Sequence, residues 1–163
     1  APEAAPAFDR VLVDAPCTGL GALRRRPESR WRRTPADLAE LTGLQSELLD
    51  AAAAVLAPGG VLAYVTCSPH VAETTVQVQD LLRRRPELEL LDAGAVFSEV
   101  ALGDLRLDEG EPGGDEAAGA AAPDDVAART AQLWPHRHGT DAMFLALLRA
   151  PSDTPESPER TRG

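Results

Sequence analysis

Apolar positions along this chain alternate between short continuous runs and longer stretches with helical spacing. Residues 8–14 (FDRVLVD) are mostly aliphatic and β-branched and end on an acid, which predicts a buried strand. After Thr34 and Pro35, which suit the N-cap and first position of a helix, leucines recur at helical spacing up to residue 56. The Pro-Gly-Gly at 58–60 is predicted to end this helix.

The pattern then returns to a strand and a second helix. Residues 61–66 (VLAYVT) are apolar with little alternation, which is typical of a strand covered on both faces. A helix is predicted over 71–85, and further strands over 88–91 and 143–149. Because long crossovers separate successive strands, this order predicts a parallel α/β sheet.

Two segments lack any such pattern. Residues 103–128 are rich in Gly, Ala and acidic side chains, which predicts a disordered acidic loop, and residues 151–163 predict a flexible tail. The rest of residues 1–150 then forms one α/β unit. Little chain precedes the first strand, and a four-stranded sheet with an open edge is a poor independent unit, so we expect further residues upstream.

Composition narrows the class of protein. Hydrophobic residues make up 44% of the chain but aromatic residues only 4%, so the core must be aliphatic. No apolar run approaches the ~20 residues that cross a bilayer, and the start of the chain lacks the features of a signal peptide. We therefore expect a cytoplasmic protein, in which the two cysteines are free thiols rather than a disulfide framework.

Charge is unevenly distributed along the chain. The formal net charge of −10 argues against a nucleic-acid partner, because phosphate contacts need basic side chains. Residues 24–33 (RRRPESRWRR), however, are strongly basic and include Trp31. This basic segment either holds RNA phosphates and stacks a base, or is a solvated loop whose arginines contact acids of the body and whose tryptophan packs. Its arginines are Arg24, Arg25, Arg26, Arg30, Arg32 and Arg33.

The two cysteines lie at equivalent places in the predicted fold. Cys17, in an Asp-Ala-Pro-Cys motif, follows the first strand, and Cys67, in a Thr-Cys-Ser-Pro motif, follows the second. Ligand sites of open α/β sheets lie beyond the carboxyl ends of the strands, so both thiols are expected to share one crevice. The alternatives are that each cysteine is a small buried hydrophobic residue, or that the two form a disulfide.

Both motifs stand in contexts that resemble a known family. The segments FDRVLVDAPCTGLGALRRRPESRW and LQSELLDAAAAVLAPGGVLAYVTCSP resemble the RNA 5-methylcytosine methyltransferases of the Nop/Sun family, and its bacterial 16S rRNA enzymes are the nearest match. The resemblance covers residues 8–85 and returns at 134–149 (WPHRHGTDAMFLALLR). It implies the carboxyl-terminal half of a Rossmann-like, class I S-adenosylmethionine-dependent methyltransferase domain. In that domain the fourth, fifth, seventh and sixth strands are neighbours.

The resemblance also implies roles for individual residues in the methylation of cytosine C5 in RNA. Cys67 is expected to be the nucleophile that adds to C6 of the base, and Cys17 to help remove the C5 proton so that the enzyme–base bond breaks. Asp14 is expected between S-adenosylmethionine and the cytosine edge, and Pro16 against the base. The alternative for Asp14, from the residues alone, is an aspartate that caps a helix or a turn.

Further expectations concern the RNA and the state of the nucleophile. Arg26, Pro27 and Trp31 match family positions, so Arg26 and Trp31 are expected to contact the RNA, which the resemblance implies is ribosomal. A thiolate at Cys67 needs a positive field, which we expect from the amino end of the helix near Val71 and from arginine, since the chain has no lysine. The full-length protein is expected to be a monomer.

The sequence also departs from the family. The stretch HVAETT after the second motif keeps only Glu73 of an acidic pair, and Ala142 stands where glycine is usual. The glycine-rich cofactor loop and its upstream acids are not in the sequence, so we expect these 163 residues alone to be inactive and not to bind S-adenosylmethionine. His136 and His138 lack a third ligand, so we expect no metal site and interpret both as surface or RNA-facing residues.

Three other functions fit part of this pattern. A non-catalytic RNA-binding or assembly module would keep the fold without the chemistry. A dithiol redox protein would use both cysteines, but they lie far apart in the chain and form no C-x-x-C motif. An amino-group methyltransferase would carry an N/D-P-P-Y motif after the first strand, where this chain has DAPC.

Overall fold

The computed structural model describes residues 7–101, 103 and 125–152. Its strands are β1 (Phe8–Asp14), β2 (Leu56–Thr66), β3 (Glu89–Leu91), β4 (Ala131–Gln132) and β5 (Phe144–Arg149). Its helices are α1 (Ser29–Arg32), α2 (Pro35–Ala54), α3 (Thr75–Arg84), α4 (Ala93–Val100), α5 (Val126–Arg129) and α6 (Pro135–His138). Two 3₁₀ turns cover Leu20–Ala22 and Val71–Glu73. None of the helices in these ranges is long and apolar enough to cross a membrane.

The main strands lie in the order β1-β2-β5-β3, and β4 pairs with β5 outside that path. This is the order that the family resemblance implies. β1 and β2 are parallel, whereas β5 runs antiparallel to both of its neighbours, β2 and β3. The prediction of a parallel sheet is therefore wrong for the last strand, because an apolar run indicates a strand but not its direction. The prediction that residues 8–14 form a buried strand is also wrong within the described residues: β1 lies at the end of the strand order and is mostly exposed, with Leu12 at 68%.

The core lies on one face of the sheet. Burial alternates along β2, where Leu62 and Tyr64 are fully buried and Ala63 and Val65 only partly. The buried face packs against α2 and α3, which contribute the fully buried residues Leu49, Val78 and Leu81. The expectation that β2 is covered on both faces is wrong within the described residues, because these two helices lie against the same face.

The first long helix begins where the sequence predicts and ends earlier. Thr34 is its N-cap: the Thr34 hydroxyl accepts from the Asp37 N–H at 3.3 Å, and the Asp37 carboxylate accepts from the Thr34 N–H at 2.7 Å. The helix ends at Ala54, and residues 58–60 belong to the irregular start of β2 instead of ending the helix. Gly59 there has φ +72°, a conformation that suits glycine.

The other predicted elements differ from the structure mainly at their ends, while α1, α4, α5, β4 and α6 were not predicted. The helix expected over 71–85 is a 3₁₀ turn followed by α3, with a break at Thr74. Strands β3 and β5 lie within one residue of their predicted bounds. Most of the predicted acidic loop (104–124) and most of the predicted tail (153–163) lie outside the described residues, while α5 already occupies the end of the predicted loop.

Candidate functional site

The two cysteines meet at one edge of the sheet. β1 and β2 are parallel neighbours with Asp14 opposite Val65, so the chain leaves both strands side by side. The Sγ atoms of Cys17 and Cys67 lie 3.3 Å apart; both thiols are free and partly buried. The expectation that both thiols meet beyond the carboxyl ends of the strands is confirmed, and both are only partly buried, unlike the small buried hydrophobic residues of the alternative.

The sulfur–sulfur contact gives the two thiols opposite acidities. The hydrogen bond from Cys17 lowers the pKa of Cys67 to about 6, and the backbone N–H of Cys67 adds to this, while burial and the charges of Asp14 and Asp141 oppose it. The same hydrogen bond raises the pKa of Cys17, together with burial and the charge on Cys67. The pair therefore holds a thiolate on Cys67 and a proton on Cys17 near neutral pH.

The positive field expected beside Cys67 is not the main cause of this thiolate. Arg25 is an arginine whose pKa the charge of Cys67 affects, but its guanidinium binds Asp141, and the Asp141 contact raises the pKa of Arg25 more than Cys67 does. The neighbouring thiol of Cys17 is the largest contribution at Cys67. Sequence reasoning gave Cys17 a role in product release only, because the motifs predict a shared crevice but not a direct contact between the two sulfur atoms.

A buried carboxylate lies behind the thiols. Glu73 is fully buried and accepts four hydrogen bonds: from Thr18 N (2.8 Å) and Gln45 Nε2 (3.3 Å) at Oε1, and from Thr18 Oγ1 (2.5 Å) and Ser68 Oγ (2.6 Å) at Oε2. Thr18 and Ser68 directly follow the two cysteines. Sequence reasoning noted Glu73 only as the remnant of an acidic pair; the available signal was a lone acid in the turn that follows the second cysteine motif.

A glycine closes the other side of the thiol pair. The Gly21 N–H donates to the Cys67 carbonyl at 2.9 Å, and the Ala142 N–H donates to the Gly21 carbonyl at 3.0 Å. A Cβ at Gly21 would lie 2.1 Å from the Ala142 oxygen and 2.7 Å from the Cys67 oxygen. Three chain segments thus converge so closely that no larger residue fits, a constraint that the sequence reading missed when it treated Gly21 as a loop glycine.

Asp14 and Pro16 lie on the open side of the site. Asp14 ends β1 with an exposed side chain, and its charge raises the pKa of Cys67. It does not cap the next helical turn, whose N-cap is Gly19, so the capping alternative is wrong. Pro16 is exposed, and its carbonyl accepts from Gln45 Nε2 at 2.9 Å. Both residues are therefore accessible next to the thiols.

The basic segment is divided between internal contacts and solvent. Arg25 binds Asp141 through Nε at 2.8 Å, and Arg24 lies 3.6 Å from the same carboxylate. Arg33 Nε donates to the Thr18 carbonyl at 3.1 Å. The alternative in which arginines contact acids of the body therefore holds for Arg24 and Arg25. Trp31 is 83% exposed, so it is not a packing residue within the described part of the chain.

The histidines do not form a metal centre. No group of three or more His, Cys, Asp or Glu side chains within residues 7–101, 103 and 125–152 is arranged to hold a metal ion. His138 Nδ1 accepts from the Trp134 N–H at 2.8 Å, and the His136 ring packs near the Trp134 ring at a centroid distance of 6.1 Å. His136 is exposed, as expected, whereas His138 is partly buried.

The sequence is similar to those of known proteins. A family model described as 16S rRNA methyltransferase RsmB/F matches residues 2–149. MT1451 of Mycobacterium tuberculosis (strain CDC 1551 / Oshkosh), described as a methyltransferase, is 57% identical over 144 residues, which are 88% of this chain and 27% of that protein. Ribosomal RNA small subunit methyltransferase B of Salmonella paratyphi B is 42% identical over 112 residues, covering 69% of this chain and 24% of that protein.

The fold also matches a solved structure. The crystal structure of NSun6 from Pyrococcus horikoshii with SFG superposes with a TM-score of 0.62 at 27% identity, over 91% of this chain and 31% of that one. The chain spans about a quarter of the length of the two curated relatives, the Mycobacterium tuberculosis and Salmonella proteins.

Proposed function

Because this chain belongs to the 16S rRNA methyltransferase RsmB/F family, we propose that the protein containing it methylates C5 of a cytosine in 16S ribosomal RNA, in the cytoplasm. Residues 1–150 then form the carboxyl-terminal part of its catalytic domain. The name of the Salmonella relative supports the ribosomal substrate. The NSun6 structure with SFG, an S-adenosylmethionine analogue, supports S-adenosylmethionine as the methyl donor.

The paired thiols are the single observation that carries this proposal. C5 of cytosine is a poor nucleophile until a thiolate adds to C6 and makes C5 enamine-like. Cys67, with a pKa of about 6, is a thiolate at neutral pH and lies at the open end of the sheet. Bound S-adenosylmethionine supplies the methyl group. Release requires loss of the C5 proton, after which the C5–C6 double bond re-forms and the Cys67 thiolate leaves.

The shared proton suggests how Cys17 becomes the base for this release. In the free site, the hydrogen bond to Cys67 and the charge on Cys67 both raise the pKa of Cys17. When Cys67 bonds to C6, its sulfur becomes a neutral thioether, so both of these effects are removed. Cys17 then loses its proton more readily and can accept the one from C5.

The other site residues have supporting roles in this proposal. Asp14 is an exposed carboxylate beside the thiols, where it suits a cationic sulfonium donor or a protonated ring nitrogen of the base. Asp14 is the one residue of this chain to which we assign a contact with the methyl donor. Pro16, exposed in the same turn, contacts the base. Arg26 and Trp31, both exposed, bind phosphate and stack a base of the RNA.

A trapping experiment on the full-length protein with its RNA tests the proposal. Cys17→Ala is expected to accumulate a covalent RNA adduct that survives denaturing electrophoresis, because the base for release is missing. Cys67→Ala is expected to form no adduct and no methylated product, and the double variant to behave like Cys67→Ala. Methylation by Cys67→Ala would contradict the assignment of the nucleophile. RNA binding by the wild type without methylation would favour the non-catalytic module instead.

A further inference from the structure

One buried carboxylate binds both of the loops that carry the thiols. Glu73 accepts from the Thr18 N–H, which belongs to the peptide bond that follows Cys17, and from the Thr18 hydroxyl. It also accepts from the hydroxyl of Ser68, the residue after Cys67. The same side chain is therefore bonded next to each sulfur-bearing residue, across 55 residues of sequence.

This arrangement is well isolated from water. Glu73 and Ser68 are 0% exposed, and Thr18 is 3% exposed. Hydrogen bonds to a carboxylate are stronger than neutral ones, and leaving a buried donor without its acceptor is destabilising. The loop after β1 and the loop after β2 are thus both hydrogen-bonded to the Glu73 carboxylate.

The distance between the sulfurs depends on these two loops. Cys17 and Cys67 contact each other at 3.3 Å, and that contact is the main cause of the low pKa of Cys67. Loosening either loop lengthens the contact, which weakens the hydrogen bond that stabilises the thiolate. We propose that Glu73 is a positioning residue for the thiol pair: it sets the reactivity of Cys67 by holding Thr18 and Ser68. This proposal rests on the proposed function for its relevance to methyl transfer.

The first test measures the thiolate directly in the full-length protein, without RNA or methyl donor. Iodoacetamide alkylation is followed against pH by mass spectrometry of tryptic peptides, since Cys17 and Cys67 fall in different peptides (11–24 and 34–83). In Glu73→Gln an NH₂ group, which only donates, replaces one carboxylate oxygen. It then faces the donors of Thr18, Gln45 and Ser68 without accepting from them. The alkylation midpoint of Cys67 is expected to rise from about 6 towards the ordinary value of about 8.5.

Tyr64→Phe is the matched control for loss of stability. The buried Tyr64 hydroxyl donates to the backbone carbonyl of Glu73 at 2.8 Å, so this variant also removes a buried hydrogen bond at the same residue but leaves the carboxylate contacts intact. It is expected to unfold at lower temperature with the Cys67 midpoint still near 6. A Glu73→Gln variant that is less stable but keeps this midpoint would overturn the proposal, because Glu73 would then only support the fold.

A second pair of variants decides the matter if Glu73→Gln does not fold. Thr18→Val removes one hydroxyl donor to the carboxylate, and Thr18→Ser keeps it. The midpoint of Cys67 is expected to rise in Thr18→Val and to stay low in Thr18→Ser; equal midpoints would overturn the proposal. Methyl transfer measured in parallel is expected to fall with the thiolate fraction. If the wild type transfers no methyl group, the proposed function fails, while alkylation still decides the role of Glu73.

Discussion

The Sγ atoms of Cys17 and Cys67 lie within hydrogen-bonding distance, 3.3 Å apart, although 50 residues separate the two cysteines in the chain. The contact lowers the pKa of Cys67 and raises that of Cys17, so the proton stays on Cys17. In the proposed reaction the Cys67 thiolate adds to the base, and Cys17 becomes the base for release only after Cys67 has bonded to C6.

The first prediction concerns the dependence of Cys67 on its partner. In the wild type, alkylation of Cys67 is expected to be half-maximal near pH 6, because only the thiolate reacts. Cys17→Ala removes the donor, so the midpoint is expected to rise towards about 8.5, the ordinary value for cysteine. Unchanged midpoints in the two proteins would show that the thiolate is stabilised by another group.

The second prediction compares two glycines. Gly21→Ala is expected to lower the free energy of unfolding by about 1–3 kcal/mol or more, because its Cβ would overlap the Ala142 and Cys67 carbonyls. Gly43→Ala, in the middle of α2 with nothing near its Cβ, is expected to raise that free energy by about 0.5–1 kcal/mol. Denaturant unfolding of both variants gives the signs, and stability gained by Gly21→Ala would contradict the close approach seen here.

The third prediction is a pH dependence of stability at Asp141. The hydrogen bonds and charge of Arg25 lower the pKa of Asp141 in the folded state. A carboxyl group whose pKa is lower in the folded state stabilises the fold at pH values above its unfolded-state pKa of about 3.9. This stabilisation is lost as the pH falls through the folded-state pKa. Asp141→Asn is therefore expected to be less stable than the wild type at neutral pH, with a difference that shrinks below about pH 4.

A double-mutant cycle with Arg25→Gln checks the cause. If the ion pair is responsible, the two single substitutions are expected to cost less in combination than the sum of their separate effects. Additive costs would mean that Asp141 is stabilised by other contacts.

The fourth prediction concerns RNA binding by the basic segment. Arg26→Gln is expected to weaken RNA binding. It is also expected to make the slope of log K against log salt concentration shallower by about one, the contribution of one phosphate contact. Trp31→Ala is expected to weaken binding by about 1–3 kcal/mol with the salt dependence unchanged, because stacking is not ionic. Arg83→Gln, on the exposed side of α3 beside Asp80, is the control and is expected to bind like the wild type.

The fifth prediction concerns the methyl donor. Asp14 is the one residue of this chain to which a contact with the methyl donor is assigned. The 163 residues alone are therefore expected to show no S-adenosylmethionine binding by titration calorimetry. The full-length protein is expected to bind it, and Asp14→Asn in that protein to bind it more weakly. Micromolar binding by the 163 residues would contradict this.

The main elements could be predicted from the sequence because their signals are local. Apolar runs marked β1 and β5, the Thr34–Asp37 capping box marked the start of α2, and proline and glycine motifs placed each cysteine after a strand. The short elements α1, α4, α5, β4 and α6 were missed because so few residues give little measurable periodicity.

The sequence by itself therefore determined which segments form the sheet and that both thiols lie at its carboxyl edge. Only the tertiary structure decided the direction of β5, the direct contact between the sulfurs of Cys17 and Cys67, the four hydrogen bonds of Glu73 and the close approach at Gly21. The physical reason is that these features join residues far apart in the chain. Hydrophobic periodicity records which face of a segment is buried, but it carries no information about which distant polar atom a buried side chain meets.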